Sequence, residues 1–418
     1  MIALIDGNNF YASCERIFNY AWRGRPVVVL SNNDGCAIAR SNEAKALGIP
    51  MGEPYFKLKH FEKTHGLVVC SANFVLYGDI SNRVVNIVRR YCNDIEVYSI
   101  DESFLFLDGY NNQYQRMVDL RRDVLNGLDL PTSIGMAPSK TLAKVANKIA
   151  KKFPEKTGSV YMIDSQKKIE AALKWFPLED IWGIGRRYYE RFKNYGAHTA
   201  WDFAQLPEDF LRDEMGILGV RMKKELLGEP QYQMSIPEPK KNIATTRTFD
   251  RGRAEYGYVH ERVSTFASEC ARKLREQRSC CKHVTVFVMT DRFKLDQPQY
   301  SNSFTVTLPN PSNSSIEISK YAKIALDKIF IDGPKYRKAG VITGTFVPET
   351  ERMTSMFDID YHEKHTPIMD AMDLMNSRLG KQKVKLASMD VQTTWKMDQK
   401  HLSPKYTSSF NESIILRA

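Results

Sequence analysis

The chain begins with an uninterrupted apolar run, Ile2 to Ile5, that ends on a carboxylate, Asp6, followed by Gly7, two asparagines and the rings Phe10 and Tyr11. Such a run bounded by Asp-Gly-Asn reads as a buried strand closing in a turn. A second stretch repeats the pattern. In "IEVYSIDESFLFL" (95–107), β-branched and aromatic residues flank Asp101 and Glu102, and a hairpin turning near Asp101 fits better than one unbroken strand. Together they put three acids, Asp6, Asp101 and Glu102, at strand tips of one N-terminal unit. If those tips converge, the carboxylates repel and raise one another's pKa. A divalent cation removes the repulsion, and oxygen ligands without nearby His or Cys point to Mg²⁺ rather than zinc. The plain alternative is a hairpin turn at Asp101–Glu102 and an Asx turn at Asp6.

Further elements surround these tips. "PVVVL" (26–30) is a short buried strand, "NEAKALG" (42–48) a helix ending on Gly48, and "TSIGMA" (132–137) a strand running into a helix from about Lys140 to Lys152. In that helix Lys140, Lys144, Lys148 and Lys152 recur at every fourth position and share one face. Leu142, Val145, Ala146 and Ile149 take the other, and Lys151 stands off the stripe. A solvated face ordinarily mixes signs. This one holds no acid, which suits the phosphates of a nucleic acid or a triphosphate. Short helices with glycine punctuation fill 166–228. Within them "FPLEDIWGIGRRYYERF" (176–192) reads as a helix-hairpin-helix. Gly183 and Gly185 let backbone N–H groups approach a phosphate, and Arg186 and Arg187 follow. Such a contact reads no base sequence.

At 418 residues the chain exceeds one ordinary core, so two to four domains are expected. "GEPQYQMSIPEPKKN" (228–242), with three prolines and no periodicity, is a linker. Residues 243–348 give strand, helix, strand, strand, helix, strand, with helices near 258–278 and 315–331; the last seventy residues are polar. The net charge of +11 favours an anionic partner, most simply nucleic acid. From Lys240 to Lys294 there are thirteen Lys or Arg against six Asp or Glu, with Arg247, Arg251 and Arg253 on and just after a strand. Seven cysteines without a CxxC pair suggest a reducing cytosol. With no signal-peptide pattern and no apolar run of ~18 residues, no membrane association is expected.

The marks "DGNNFYASCE", "VVVLSNNDGCAIAR", "EAKALGI", "YSIDES", "SKTLAKVANKIAKK", "WGIGRR" and "LSPKYT" stand in order along nearly the whole chain. With them the chain resembles the Y-family of translesion DNA polymerases. "SNNDGC" draws it to the UmuC branch, the catalytic subunits of bacterial DNA polymerase V, rather than the DinB branch. The resemblance implies an α+β multidomain, right-hand fold. It has a ferredoxin-like palm (1–20 and 76–165), small fingers (21–75) and a helix-hairpin-helix thumb (166–228). A linker (229–242), a βαββαβ little finger (243–348) and a C-terminal extension (349–418) complete it. It implies template-directed DNA synthesis across damaged bases, as in SOS-type damage tolerance.

By the same resemblance Asp6, Asp101 and Glu102 would carry two Mg²⁺, with Mn²⁺ as a substitute and Gly7 supplying a carbonyl. Tyr11 matches the steric gate against a ribose 2′-OH, with Phe10 beside it, and Lys151 matches a triphosphate-binding lysine. Many members carry Tyr-Glu-Ala-Arg where this chain has Asn42, Glu43, Ala44 and Lys45. Lys45 keeps the charge without the bidentate fork, and Arg40 is near enough to compensate. Lys140, Lys144, Gly183, Gly185, Arg186 and Arg247 are the expected DNA contacts. Beyond primed DNA and dNTPs, the implied partners are a processed UmuD-type dimer, RecA and the sliding clamp, in a bacterial cytoplasm at the nucleoid. "RMTSMFD" offers Met356 and Phe357 to the clamp, with Met353 where a glutamine anchor would stand. No second acidic cluster suggests a proofreading exonuclease. The competing readings are a DinB-like stand-alone polymerase, a catalytically degenerate DNA-binding scaffold, and a nucleotide cyclase with a similar palm.

Overall fold

The computed structural model describes residues 1–235, 238–294, 296–355, 357–380, 382–390, 397–412 and 414. They form two compact units, Met1–Ile236 with Asp398–Ala418, and Pro237–Met397. In the first, β1 (Ile2–Gly7) is buried along its whole length, as a strand without alternation must be. Asn9, in the left-handed region at φ 50°, turns the chain into α1 (Phe10–Ile17). Next come β2 (Val27–Leu30), β3 (Ala37–Arg40), α2 (Asn42–Ala46), α3 (Tyr55–His65), β4 (Val68–Ser71) and α4 (Phe74–Val88). The side chains of Ser41 and Asn73 cap α2 and α4 by accepting from backbone N–H groups of the first turn. β2 pairs antiparallel with β3 and parallel with β4 in a three-stranded sheet.

A hairpin of β5 (Ile95–Val97) and β6 (Glu102–Phe106) follows, then α5 (Gln113–Leu128), β7 (Thr132–Ala137), α6 (Lys140–Lys152), α7 (Pro154–Thr157) and β8 (Val160–Met162). The five strands β5-β6-β1-β7-β8 form one sheet, with β1 at its centre and antiparallel to both neighbours. Leu4 on one face of β1 joins a core with Leu142, Phe176 and Phe192; Ala3 and Ile5 on the other join Phe10, Tyr77 and Leu120. The former core continues into short helices α8 (Gln166–Trp175), α9 (Arg186–Asn194), α10 (Ala200–Gln205), α11 (Glu208–Met215) and α12 (Ile217–Leu226).

The second unit runs β9 (Asn242–Arg253), α13 (Tyr256–Glu276), β10 (Ser279–Thr290), β11 (Ser301–Ser312), α14 (Ser315–Ile329), β12 (Tyr336–Pro348). Its antiparallel sheet has the order β11-β10-β12-β9, and both helices pack on it through Phe266, Leu274, Ile318 and Leu326. The βαββαβ order is the expected one, with helix ends shifted by two residues. The polar stretch beyond it differs from expectation. It contains α15 (His362–Leu379), held by Met369 and Met372 and by an Arg275–Asp373 ion pair of 2.7 Å. Two buried methionines and one remote arginine leave little periodic signal in the sequence. The extension expected over 349–418 also divides, because residues from Asp398 onward belong to the first unit. Among the described residues the cysteines are free, and no helix is long and apolar enough to cross a membrane.

Candidate active site

Register brings the first two acids together. Asp6 pairs with Glu102 across β1 and β6, and cross-strand partners project from the same face. Asp101 lies in the turn just before β6. Gly7 N–H donates to its carbonyl at 2.9 Å, and Ser99 Oγ donates to Oδ1 at 2.6 Å. Ser99 Oγ also accepts from the backbone N–H groups of Asp101 and Glu102, which locks the turn.

Like charges opposed across a ladder are unfavourable, and α6 answers them. It lies so close to β7 at Gly135 that a Cβ there would stand 2.0 Å from Asn147 N and 2.3 Å from Ala143 O. Asn147 Nδ2 fixes the approach by donating to the carbonyls of Leu4 (3.2 Å) and Ser133 (2.8 Å). Two lysines of the helix thereby reach the strand tips. Lys144 Nζ donates to both oxygens of Glu102 at 2.8 and 2.9 Å, and Lys151 Nζ lies 2.5 Å from Asp6 Oδ2. Burial pushes the Asp6 carboxyl up to about 6 against the pull of Lys151, and Glu102 and Asp101 add to the rise.

The three acids line a cleft of about 450 Å³ together with Gly7, Tyr11, Arg40, Lys45 and Lys151. The Tyr11 ring stacks on Tyr77 at 4.5 Å and meets the edge of Phe74 at 5.9 Å. Arg40 Nη1 donates to Ile49 O at 2.6 Å. Lys45 Nζ donates to Asn9 Oδ1 at 2.5 Å, while Asn9 Nδ2 donates to Asn42 Oδ1 at 2.9 Å. Burial and then the neighbouring Arg40 and Lys151 lower the pKa of Lys45. A cleft edge lined by three cations, Arg40, Lys45 and Lys151, suits a polyanion.

Several expected contacts fall elsewhere. Lys140 is only 3% exposed; its Nζ donates to Glu96 Oε2 at 2.6 Å and to Gln233 O at 2.7 Å. Its ammonium is engaged in a buried internal pair. Lys144 is taken by Glu102, and Lys148 pairs with Asp180. Three of the four stripe lysines, Lys140, Lys144 and Lys148, therefore serve acids within their own unit, and Lys152 is exposed. Phe10 is 4% exposed and fills the space above Gly7, where a Cβ would stand 2.7 Å from its ring, so it forms the cleft floor. Gly183, at φ 101°, and Gly185 precede α9, and Arg186 is exposed at its start. Arg247 is exposed on β9 in the second unit. Phe357 is 98% exposed, whereas Met356 lies outside the described residues. The site also uses Asn9, Ser99, Gly135 and Asn147. The doubled asparagine after Asp6-Gly7 and the serine two residues before Asp101 are turn signals that point to the first two; the others carry no local signal.

Among the described residues no group of three or more Asp, Glu, His or Cys side chains is drawn together tightly enough to hold a metal ion. Two lysine ammonium groups stand on the carboxylates instead. The lining itself fits a hard divalent cation: three carboxylates, without imidazole or thiolate. The elevated Asp6 pKa is the strain that a cation relieves.

Residues 5–148 match the impB/mucB/samB family, and residues 240–356 match the C-terminal domain of that family. Residues 366–415 match a domain of unknown function. The chain is similar to Protein UmuC of Salmonella typhimurium, 38% identical over 424 aligned residues that span both chains fully. It is 36% identical to Protein SamB of Salmonella typhimurium, over 98% of this chain and 97% of the relative. It is 28% identical to DNA polymerase IV of Bacillus velezensis, over 90% of each. Among solved structures it is similar to a Y-family DNA polymerase chimera of Dbh and Dpo4, with a TM-score of 0.65 and 18% identity over 83% of this chain and 99% of that one.

Proposed function

We propose that this chain, which belongs to the impB/mucB/samB family and is a UmuC-like DNA polymerase of the Y-family, extends a primer 3′-OH past damaged template bases in the cleft where β1, β6 and α6 meet. The observation that carries the reading is Asp6 paired with Glu102 across two strands, with Asp101 beside them and Arg40, Lys45 and Lys151 lining the same cleft. Acids and cations so divided suit a triphosphate carried with its counter-ions. Y-family polymerases work with divalent metal. Here Asp6, Asp101, Glu102 and the Gly7 carbonyl would hold two Mg²⁺, or Mn²⁺ in their place. Such ions lower the pKa of the attacking hydroxyl and stabilise the leaving pyrophosphate.

The chain's own groups do the rest. Lys151 exchanges Asp6 for the triphosphate. Asn9 and the Ile49 carbonyl hold Lys45 and Arg40 toward it. Tyr11 packs against the sugar and leaves no room for a 2′-OH. Gly183, Gly185 and Arg186 take one backbone phosphate and Arg247 another. We extend the reading to a processed UmuD-type dimer, RecA and the sliding clamp as partners in a bacterial cytoplasm. Phe357, with its ring exposed, is the residue for the clamp. Replacing it by Ala should lower clamp-stimulated but not clamp-free synthesis. The deciding experiment is primer extension on damaged and undamaged templates, with and without these partners. Extension past a lesion is expected. No extension under any combination, with either Mg²⁺ or Mn²⁺, overturns the proposal.

A further inference from the structure

The chain beyond Asp398 belongs to the first unit and fastens onto the helix that carries Tyr11 and the helix whose Tyr77 stacks on it. Gln399 Nε2 donates to Ala72 O at 2.9 Å, and His401 exchanges two hydrogen bonds with Ser71, at 2.9 and 3.0 Å. Ser403 is 8% exposed; it accepts from Asn73 Nδ2 at 3.0 Å and donates to Glu15 Oε1 at 3.2 Å. The same Glu15 oxygen accepts from the Tyr77 hydroxyl at 2.6 Å. Three residues later Tyr406 stacks on Phe18 at 4.6 Å. Asn73 caps α4, which carries Tyr77; Glu15 lies on α1, which carries Tyr11 and is followed by Phe18. The tail thus ties both helices at the point where Tyr11 stacks on Tyr77.

Glu15 is fully buried, and its Oε2 has no hydrogen-bond partner among the described residues. A buried carboxyl with so few donors depends on each of them. Removing the Ser403 hydroxyl leaves Glu15 with the Tyr77 hydroxyl alone and frees the Asn73 amide from its acceptor.

We propose that residues 398–406 are an internal strap for the nucleotide cleft, and that Ser403 and Tyr406 are positioning residues that hold the Tyr11 ring through Glu15, Tyr77 and Phe18. This rests on the reading of Tyr11 as the group that faces the sugar. It gives a role within the first unit to part of the stretch that matches a domain of unknown function.

The test is the ratio of ribo- to deoxynucleotide incorporation by the full chain carrying Ser403→Ala, Ser403→Thr, Tyr406→Leu or Tyr11→Ala. A second readout is the fluorine resonance of Tyr11 in protein labelled with 3-fluorotyrosine, assigned by its loss in Tyr11→Phe. Losing the Ser403 hydroxyl's hydrogen bonds or one ring stack should raise the ratio about fivefold in Ser403→Ala and Tyr406→Leu, while Ser403→Thr keeps the wild-type ratio. The Tyr11 resonance should move in the first two and stay in the third. If Tyr11→Ala changes the ratio and neither strap variant does, the strap is overturned and the gate stands. If Tyr11→Ala leaves the ratio unchanged, the gate reading falls, and the strap is judged by the Tyr11 resonance. An unmoved resonance in both strap variants overturns it; a shift supports it.

Discussion

Lys144 places its ammonium 2.8 and 2.9 Å from the two oxygens of Glu102, so the carboxylate that faces Asp6 across the ladder already has a counter-charge supplied by α6. Asp101 differs: its side chain is held by the Ser99 hydroxyl. Asp101→Ala therefore isolates the chemistry from the ion pairs. It should abolish primer extension and leave affinity for primed duplex within about twofold, since no duplex phosphate depends on an acid. Glu102→Ala should lose extension too, and should lower stability by about 1–3 kcal/mol by stranding Lys144. Substantial extension by Asp101→Ala, read on a gel beside an anisotropy titration, would sink the assignment of the three acids.

Lys140 is expected to matter for folding and not for DNA. Its ammonium is buried between Glu96 and the Gln233 carbonyl, and removing one partner of a buried pair typically costs about 3–5 kcal/mol. Lys140→Ala should shift the denaturant midpoint strongly. The salt dependence of DNA affinity should keep its wild-type slope. A shallower slope with unchanged stability would return Lys140 to the DNA surface.

The phosphate contacts are expected in the exposed arginines instead. Arg186 and Arg187 stand at the start of α9 beside the two glycines, both exposed. Replacing both by Ala should shallow the log–log salt slope by roughly 0.9 per lost duplex contact. A wild-type slope in the double variant would mean that these side chains face only solvent.

The contrast between Lys140 and Arg186 shows what the sequence could and could not display. The strands that carry Asp6 and Glu102 near their ends, the turn at Asp101 and the βαββαβ order were legible, because apolar runs and turn residues act locally. The partners of the lysine stripe were not. Glu96, Glu102 and Asp180 lie far from α6 in the chain, and only the close approach at Gly135 brings them under it. Four-residue spacing shows that lysines share a face; it does not show what that face meets. The return of the tail is the same kind of fact. Ser403 finds Asn73 and Glu15 more than three hundred residues away, with no periodic pattern to announce it.

Tyr11 should discriminate sugars. Its ring lines the cleft beside Asp6 and is held against Tyr77 and Phe74, so it cannot swing aside freely. Forcing an extra hydroxyl into a packed contact costs about 1–3 kcal/mol, which corresponds to roughly five- to 150-fold. Tyr11→Ala should raise ribonucleotide relative to deoxynucleotide incorporation by a factor in that range. Steady-state constants for both substrates with both proteins measure it, and an unchanged ratio would make Tyr11 a core ring only.

Glu15 should make the first unit sensitive to pH near neutrality. Burial pushes its carboxyl from an ordinary 4.5 up to about 7, while the hydrogen bonds from Tyr77 and Ser403 pull it back. A raised acid binds its proton more tightly in the folded chain. Its contribution is therefore complete below about 4.5 and is lost as pH rises through about 7. At about 1.4 kcal/mol per unit, the loss between pH 5 and 8 is on the order of 3 kcal/mol. The ionisable groups around it do not titrate in that window, since burial also pushes Cys14, Cys70, Tyr77 and Tyr406 upward from values already above 8. Glu15→Gln keeps an oxygen for the two hydroxyl donors and removes the proton. The difference in unfolding free energy between wild type and Glu15→Gln should therefore move against the wild type by that amount from pH 5 to pH 8. Denaturant curves at both pH values measure it, and a difference that stays constant would show that Glu15 keeps one protonation state across the range.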